Sequence, residues 1–511
     1  MSETAPSGAA GRKTADADAG GDAGAGRGSG LNGRVIWLAA AGAVGGFLFG
    51  FDSSVVNGAV DAISERFDLS AWLTGIAIAS ALLGCAVGAE LAGRLADRFG
   101  RIPVMILGAI LFFVSALGSG FAFAVWDLIL WRLVGGVGIG IASVVAPAYI
   151  AEISPRRSRG RLASLQQLAI VFGIFAALLS DAVFATAAGG ADQPFWFGLE
   201  AWRWMFLVAA VPAVVYGVIA RTLPESPRFL MKASREEDAR TVLEGIQPPG
   251  EVDRAVREIR TSMQEDEEAK KTKGALRGPV LGLKGIVWIG ILLSVFQQFV
   301  GINVIFYYST TLWKAVGFDE SDSLLISVIT SVTNIVVTFV AIALVDRVGR
   351  RPLLLIGSAG MTVSLATMAI SFANSVEVDG AVTLPGAWGP IALVAANLFV
   401  VFFGFSWGPL VWVLLGEIFP NRIRGRALGL AAAAQWLANF AVTVSFPLLS
   451  DFSLLFTYGM YATFALLSFL FVFWKVPETN GMSLEESETL FPAKGSAKKA
   501  KQAKTPASTT G

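Results

Sequence analysis

Long apolar runs separated by short polar segments fill most of the 511-residue chain. A helix needs about 20 residues to cross the roughly 30 Å hydrocarbon core of a bilayer. Twelve runs reach that length: 35–59, 71–91, 103–122, 125–150, 162–186 and 203–221, then 285–311, 324–345, 352–373, 389–415, 427–449 and 454–475. A polar stretch, 222–284, separates the sixth from the seventh. Within it Ser234 and Glu237 have capping-box spacing, and Ala239, Val242, Leu243 and Ile246 repeat with a helical period. Short amphipathic helices lying under the membrane are expected there. The predicted fold is an all-α membrane protein, with a six-helix bundle at 34–221, a cytoplasmic helical linker at 222–284 and a second bundle at 285–476. Residues 1–33 and 477–511 are expected to be cytoplasmic tails, too poor in apolar residues to bury a core.

Composition strengthens this picture. Charged residues make up 15% of the chain and hydrophobic ones 54%, whereas soluble domains carry about 25% charge. A net charge of +1 gives no electrostatic basis for binding nucleic acid. Cys85 is the single cysteine and histidine is absent, so no intramolecular disulfide or Cys/His metal site is expected, and proton chemistry falls to carboxylates. The glycines at 135, 136, 138 and 140 lie inside an apolar run with no strand before them, which points to close helix packing rather than a nucleotide loop. With no Walker sequence, catalytic triad or metal-ligand cluster, neither enzyme activity nor a cofactor is expected. Arginines crowd the loops that follow even-numbered runs, at 94, 98 and 101, at 156, 157, 159 and 161, at 347, 350 and 351, and at 422, 424 and 426. The positive-inside rule makes those loops and both termini cytoplasmic.

Three signatures occur twice. Asp97-Arg98-Phe99-Gly100-Arg101 returns as Asp346-Arg347-Val348-Gly349-Arg350, 249 residues later. Glu152 to Arg161 returns as Glu417 to Arg426, 265 residues later, and Pro224-Glu225-Ser226 returns as Pro477-Glu478-Thr479. Two homologous six-helix halves in parallel follow, an arrangement that places a ligand site at their interface near mid-membrane. The repeated acids and arginines, Asp97, Arg98, Arg101, Glu152, Arg159, Glu225, Arg228, Asp346, Arg347, Arg350, Glu417 and Arg424, are candidate gate residues whose contacts form in one conformation and break in another. Fixing topology is the plainer role for the arginines.

Charge within a membrane is costly and usually marks a pathway or a paired site. Asp52 lies about 25 Å along the first run and Arg132 about 27 Å from the inner end of the fourth, by a 1.5 Å rise per residue. They can meet at one depth, either as a proton-coupling pair or as a static ion pair, and no other acid reads as lying so far inside. Glu90, about 10 Å from the cytoplasmic charges, reads as interfacial. Neutral amides are frequent: Gln297, Gln298 and Asn303 in the seventh run, with Gln167, Asn334, Gln435 and Asn439 elsewhere. Single amides often bond between helices; this many around one cavity match the hydroxyls of a polyhydroxylated ligand. Gly301 allows the seventh helix to unwind, and Gly404, Gly408 and Pro409 break or bend the tenth. Trp412 and Trp436 lie near the centres of their runs and offer flat faces to a sugar ring.

These residues resemble the sugar porter family of the major facilitator superfamily over approximately 35–486. The marks are Asp97-Arg98-Phe99-Gly100-Arg101, Pro224-Glu225-Ser226-Pro227-Arg228, Gln297-Gln298-Phe299-Val300-Gly301-Ile302-Asn303 and Pro477-Glu478-Thr479-Asn480-Gly481. Ser406-Trp407-Gly408-Pro409 and Ala434-Gln435-Trp436-Leu437-Ala438-Asn439 resemble the bacterial xylose/proton and glucose/proton symporters most. The resemblance implies sugar contacts from Gln167, Gln297, Gln298, Asn303, Asn334, Gly408, Trp412, Gln435 and Trp436, flanked by Phe49 and Tyr307. It also implies proton coupling through Asp52. Ile102, Ile174 and the acid-free Leu207-Val208-Ala209-Ala210 depart from the family pattern, so sugar preference and a second proton site do not carry over. The resulting expectation is a proton-coupled importer of D-glucose or D-xylose, working as a monomer in the plasma membrane with sugar, proton and lipid as its partners. A passive uniporter, an inositol or polyol symporter, and a non-transporting sugar sensor remain the alternatives.

Overall fold

The computed structural model describes residues 33–155, 159–247, 250–271, 276–378, 381–419 and 423–479. The tails therefore lie largely outside the described residues, as do Arg156, Arg157 and Arg422. Among the described residues, twelve helices are long and apolar enough to cross a membrane. In order, spans one to six are Gly33–Val55, Ala71–Phe99, Arg101–Gly120, Val125–Ile153, Ser164–Ala188 and Ala201–Thr222. Spans seven to twelve are Gly285–Tyr307, Glu320–Val345, Arg350–Ala373, Trp388–Ile418, Arg426–Phe452 and Leu454–Lys475. Each falls on an apolar run read from the sequence.

Packing follows the repeat. In the first half span one lies against five, two against four, three against four and six. In the second half seven lies against eleven, eight against ten, nine against ten and twelve. The same pairings displaced by six spans give the two-bundle major facilitator fold. Across the halves, span two packs on eleven and span five on eight. Glycines allow the closest approaches: a Cβ at Gly136 or Gly140 of span four would collide with the backbone of span two at Ala81 or Cys85. The glycine run is a helix-packing surface, as its apolar setting predicts.

Three spans are broken. Span seven runs as a helix to Phe299 and restarts at Ile302, with Gly301 at φ 82°, a conformation that costs other residues more than glycine. Span ten stops at Gly404 and restarts at Trp407, because Pro409 has no N–H to give the carbonyl one turn back. Pro212 acts likewise in span six, between Ala201–Val208 and Ala210–Thr222.

Helices Pro227–Lys232, Glu236–Glu244 and Val252–Lys271 occupy the linker. Ala239, Leu243 and Ile246 are buried there, in keeping with their spacing. The capping box does not form. Ser234 has φ 60° and ends the preceding turn, so Arg235 becomes the N-cap, without a side-chain capping bond. Its Nε instead holds Asp238 at 2.6 Å. A short strand pair, Val376–Val378 with Ala381–Thr383, joins spans nine and ten and was not foreseen.

Candidate functional site

Spans one and four bring Asp52 and Arg132 together at 2.7 Å, both almost wholly buried. The depth arithmetic thus puts these two charges at one level correctly. A guanidinium in an apolar bundle needs a countercharge, and the Arg132 guanidinium also lies over the Phe206 ring at 5.8 Å. Its Nε has no hydrogen-bond partner. Beside the pair is a cavity with room for about one water (≈ 10 Å³), whose wall includes Phe49, Ser53, Cys85 and Tyr307. Glu90, by contrast, is exposed and pairs with Arg94 at 2.8 Å.

Phe49 and Tyr307 connect that cavity to the second half. Phe49 meets Trp436 edge to face, centroids 5.7 Å apart, across the interface between halves. Tyr307 is hydrogen-bonded to Asn439. The amides of span seven form a chain: Asn303 Nδ2 donates to Gln298 Oε1 at 2.5 Å and Gln298 Nε2 to Gln297 Oε1 at 3.4 Å. Gln297 Nε2 then donates to the carbonyls of Trp407, at 2.9 Å, and Gly408, at 3.2 Å. The broken turn of span ten makes those carbonyls available, and Trp407 is fixed there by its indole N–H on Ser358 Oγ at 2.8 Å.

Asn334 lies beside Gly404, just before the same break. Trp412, one turn beyond Gly408 on the same face of the helix, is 44% exposed. Gln435 keeps a buried Oε1 with no partner, a free acceptor next to Trp436. Gln167 is half-buried on span five and, among the described residues, makes none of these bonds. The arrangement offers hydroxyl-matching groups and flat ring faces within reach of a protonatable pair.

At the Arg-rich face the repeat builds two matched clusters. Arg101 grips Glu152 through Nε at 2.9 Å and Nη2 at 2.7 Å. Glu225 accepts the backbone N–H groups of Arg101 and Ile102, at 2.9 and 3.1 Å. In the second half Arg350 holds Glu417 at 2.9 Å, and Glu478 accepts the N–H groups of Arg350 and Arg351, both at 3.0 Å. Gly100 and Gly349, with φ 99° and 97°, turn the chain so that these N–H groups face the acid. Ile102 offers only its backbone to this contact, so the side-chain departure at that position leaves the cluster intact. Glu478, not singled out beyond its repeat, does what Glu225 does. Asp97 bonds Lys232 at 3.0 Å, Arg98 lies over Phe99, and Arg347 is exposed. Arg228 sits half-buried in the first turn of Pro227–Lys232. The side chains of Arg159, Asp346 and Arg424 lie outside the described residues. Every bond in the two clusters stays within one half.

Bonds between halves lie at the opposite face. Asn57 Nδ2 donates to Ser309 Oγ at 2.8 Å, and its Oδ1 accepts the Thr310 N–H at 3.0 Å. Asp61 takes the Thr311 hydroxyl and the Lys314 ammonium, both at 2.8 Å. Glu320 accepts the Ala191 N–H at 3.0 Å. This face is latched shut.

A second buried acid was missed. Asp181, in span five, is fully buried, and its Oδ2 accepts the Gly58 N–H at 3.2 Å.

The model of the sugar (and other) transporter family matches residues 38–491. The chain belongs to this family. The glucose transport protein of Synechocystis is 53% identical, over 88% of this chain and 96% of its own length. The D-xylose-proton symporter of Escherichia coli is 37% identical, over 88% and 94%. Among solved structures, the inward-open xylose transporter XylE from E. coli is similar with a TM-score of 0.76 and 35% identity, over 90% of this chain and all of that one. Membership makes this a multi-pass membrane transporter.

Proposed function

We propose that the chain is a proton-coupled symporter that imports a monosaccharide, D-glucose or D-xylose, by alternating access. The observation that carries this reading is the shared wall: Phe49 and Tyr307 line the small cavity beside Asp52 and Arg132, and both also reach the ring and amide cluster through Trp436 and Asn439. The names of the glucose and xylose relatives support the choice of substrate.

With the Arg-rich face cytoplasmic by the positive-inside rule, the latched face is extracellular and the conformation is inward-facing. In the outward-facing state Asp52 takes a proton from outside water, and the neutral acid holds Arg132 less strongly. Sugar hydroxyls then meet Gln297, Gln298, Asn303, Asn334 and Gln435, with Gln167, Trp412 and Trp436 completing the ring contacts. The Asn57 and Asp61 latch closes behind the sugar while the paired cytoplasmic clusters separate. Release of sugar and proton inward restores the bond between Asp52 and Arg132. Each chain holds one complete pathway, so a monomer in the plasma membrane suffices, with both termini cytoplasmic.

Asp52→Asn in proteoliposomes tests the coupling. It keeps an acceptor for Arg132 but cannot carry a proton, so sugar exchange between equal internal and external pools is expected to persist while gradient-driven accumulation falls to a ratio of one. Accumulation equal to that of the unaltered protein would refute the role of Asp52.

A further inference from the structure

Asp181 lies where the outer mouth closes. Gly58, whose N–H it accepts, follows Asn57, the residue that latches span one to Ser309 and Thr310. Space there is tight: a Cβ on Gly58 would come within 2.6 Å of the Asp181 Cβ. The second carboxyl oxygen, Oδ1, is buried with no hydrogen-bond partner.

No cation answers this acid. Span five packs on spans one, four, six and eight. On their outer parts, Asp52 and Arg132 are bonded to each other and Arg203 holds Glu200. Asp127 accepts the Phe123 N–H, Glu320 accepts the Ala191 N–H, and Asp322 is exposed. Arg34, Tyr149, Glu152, Tyr216, Asp346 and Arg347 belong to the inner parts of these spans. At the mouth itself, Asp61 and Lys314 pair with each other. One backbone N–H is far too little to keep a carboxylate ionised in a dry site, and a buried acid in that position holds its proton.

We propose that Asp181 is a second protonation site, separate from Asp52, which is neutral when the outer mouth is closed and ionises when the mouth opens and admits water. Outer closure then takes up a proton of its own. The inference rests on the symport reading for its purpose, since such a proton would link extracellular pH to the step that traps sugar. Its physical content rests only on the geometry at Gly58.

The sign follows directly. Once hydrated, Asp181 returns toward an ordinary aspartate value of about 3.9, so at neutral pH the open form is ionised and the closed form protonated. Each unit rise in pH lowers the closed-to-open ratio about tenfold on account of this one group. Lys314 does not mimic that slope. Partial burial pulls its ammonium down, but Asp61 outweighs this and holds it above the usual lysine value of 10.5, so it stays charged up to pH 9.

The test uses the full chain in lipid nanodiscs with spin labels at Glu65→Cys and Ser321→Cys, two exposed positions on opposite sides of the mouth. Cys85 is buried. Distance distributions from pH 5 to 9 without sugar give the closed-to-open ratio. The proposal expects the labelled protein to open as pH rises, and its Asp181→Asn form to show a slope smaller by about one decade per pH unit. Coincident curves would overturn it. Should Asp181→Asn not fold, the same labels on Asp52→Asn decide: pH-dependent opening that survives supports a second site, and its loss overturns the proposal. Neither measurement involves sugar flux, so failure of the symport reading would appear in uptake assays and not here.

Discussion

Replacing Asn57 with alanine removes both bonds that this side chain makes across the outer mouth, the one it gives to Ser309 Oγ and the one it takes from Thr310 N–H. Each is buried, and a buried hydrogen bond contributes about 1 kcal/mol net. The two together therefore favour the closed mouth by about 2 kcal/mol, provided water satisfies Ser309 and Thr310 when the mouth is open. That difference corresponds to about a 30-fold change in the closed-to-open ratio, since 1.4 kcal/mol is about tenfold. Spin labels at Glu65→Cys and Ser321→Cys, read at one pH with and without Asn57→Ala, measure the ratio directly. A shift toward the open mouth of roughly 10- to 100-fold is expected. A change below about threefold, or any shift toward closure, would show that Asn57 does not act as the latch.

Two further changes address the cavity and the cytoplasmic clusters. Gln298→Ala breaks the amide chain between Asn303 and Gln297, and one lost sugar hydroxyl contact together with a displaced Asn303 should raise the KM for uptake about tenfold; an unchanged KM would place the sugar elsewhere. Glu478→Gln leaves one carbonyl acceptor where two carboxylate oxygens now take the Arg350 and Arg351 N–H groups, so a loss of about 1.5–3 kcal/mol in thermal stability is expected, and Glu225→Gln should cost a similar amount because its contacts are the same.

Much of this molecule is legible in its sequence because a bilayer imposes strict terms on length and polarity. Twelve apolar runs became twelve spanning helices, and the repeated motifs marked halves that pack alike. Counting residues along spans one and four brought Asp52 and Arg132 to one level, and Gly301 and Pro409 marked two of the helix breaks. Asp181 escaped the same counting. About 30 Å along its run, it reads as interfacial, where charge is cheap; what buries it is the Gly58 turn closing over span five, a contact 123 residues distant in sequence. The latched face was equally hidden, because Asn57 and Ser309 are ordinary polar residues until the halves meet. Ser234 failed as a cap for a local reason: a positive φ at that residue moved the helix start by one position.

Uptake of labelled D-glucose and D-xylose into proteoliposomes, with and without an imposed inward proton gradient, tests the central claim most directly. Coupling of one proton to one sugar predicts about tenfold accumulation for each pH unit of gradient. A membrane potential of 100 mV, negative inside, adds about 2.3 kcal/mol per charge. Accumulation of either sugar that follows the gradient and collapses when a protonophore is added is the expected result. Equilibration at a ratio of one, whatever the gradient, would contradict proton coupling and make the chain a passive carrier.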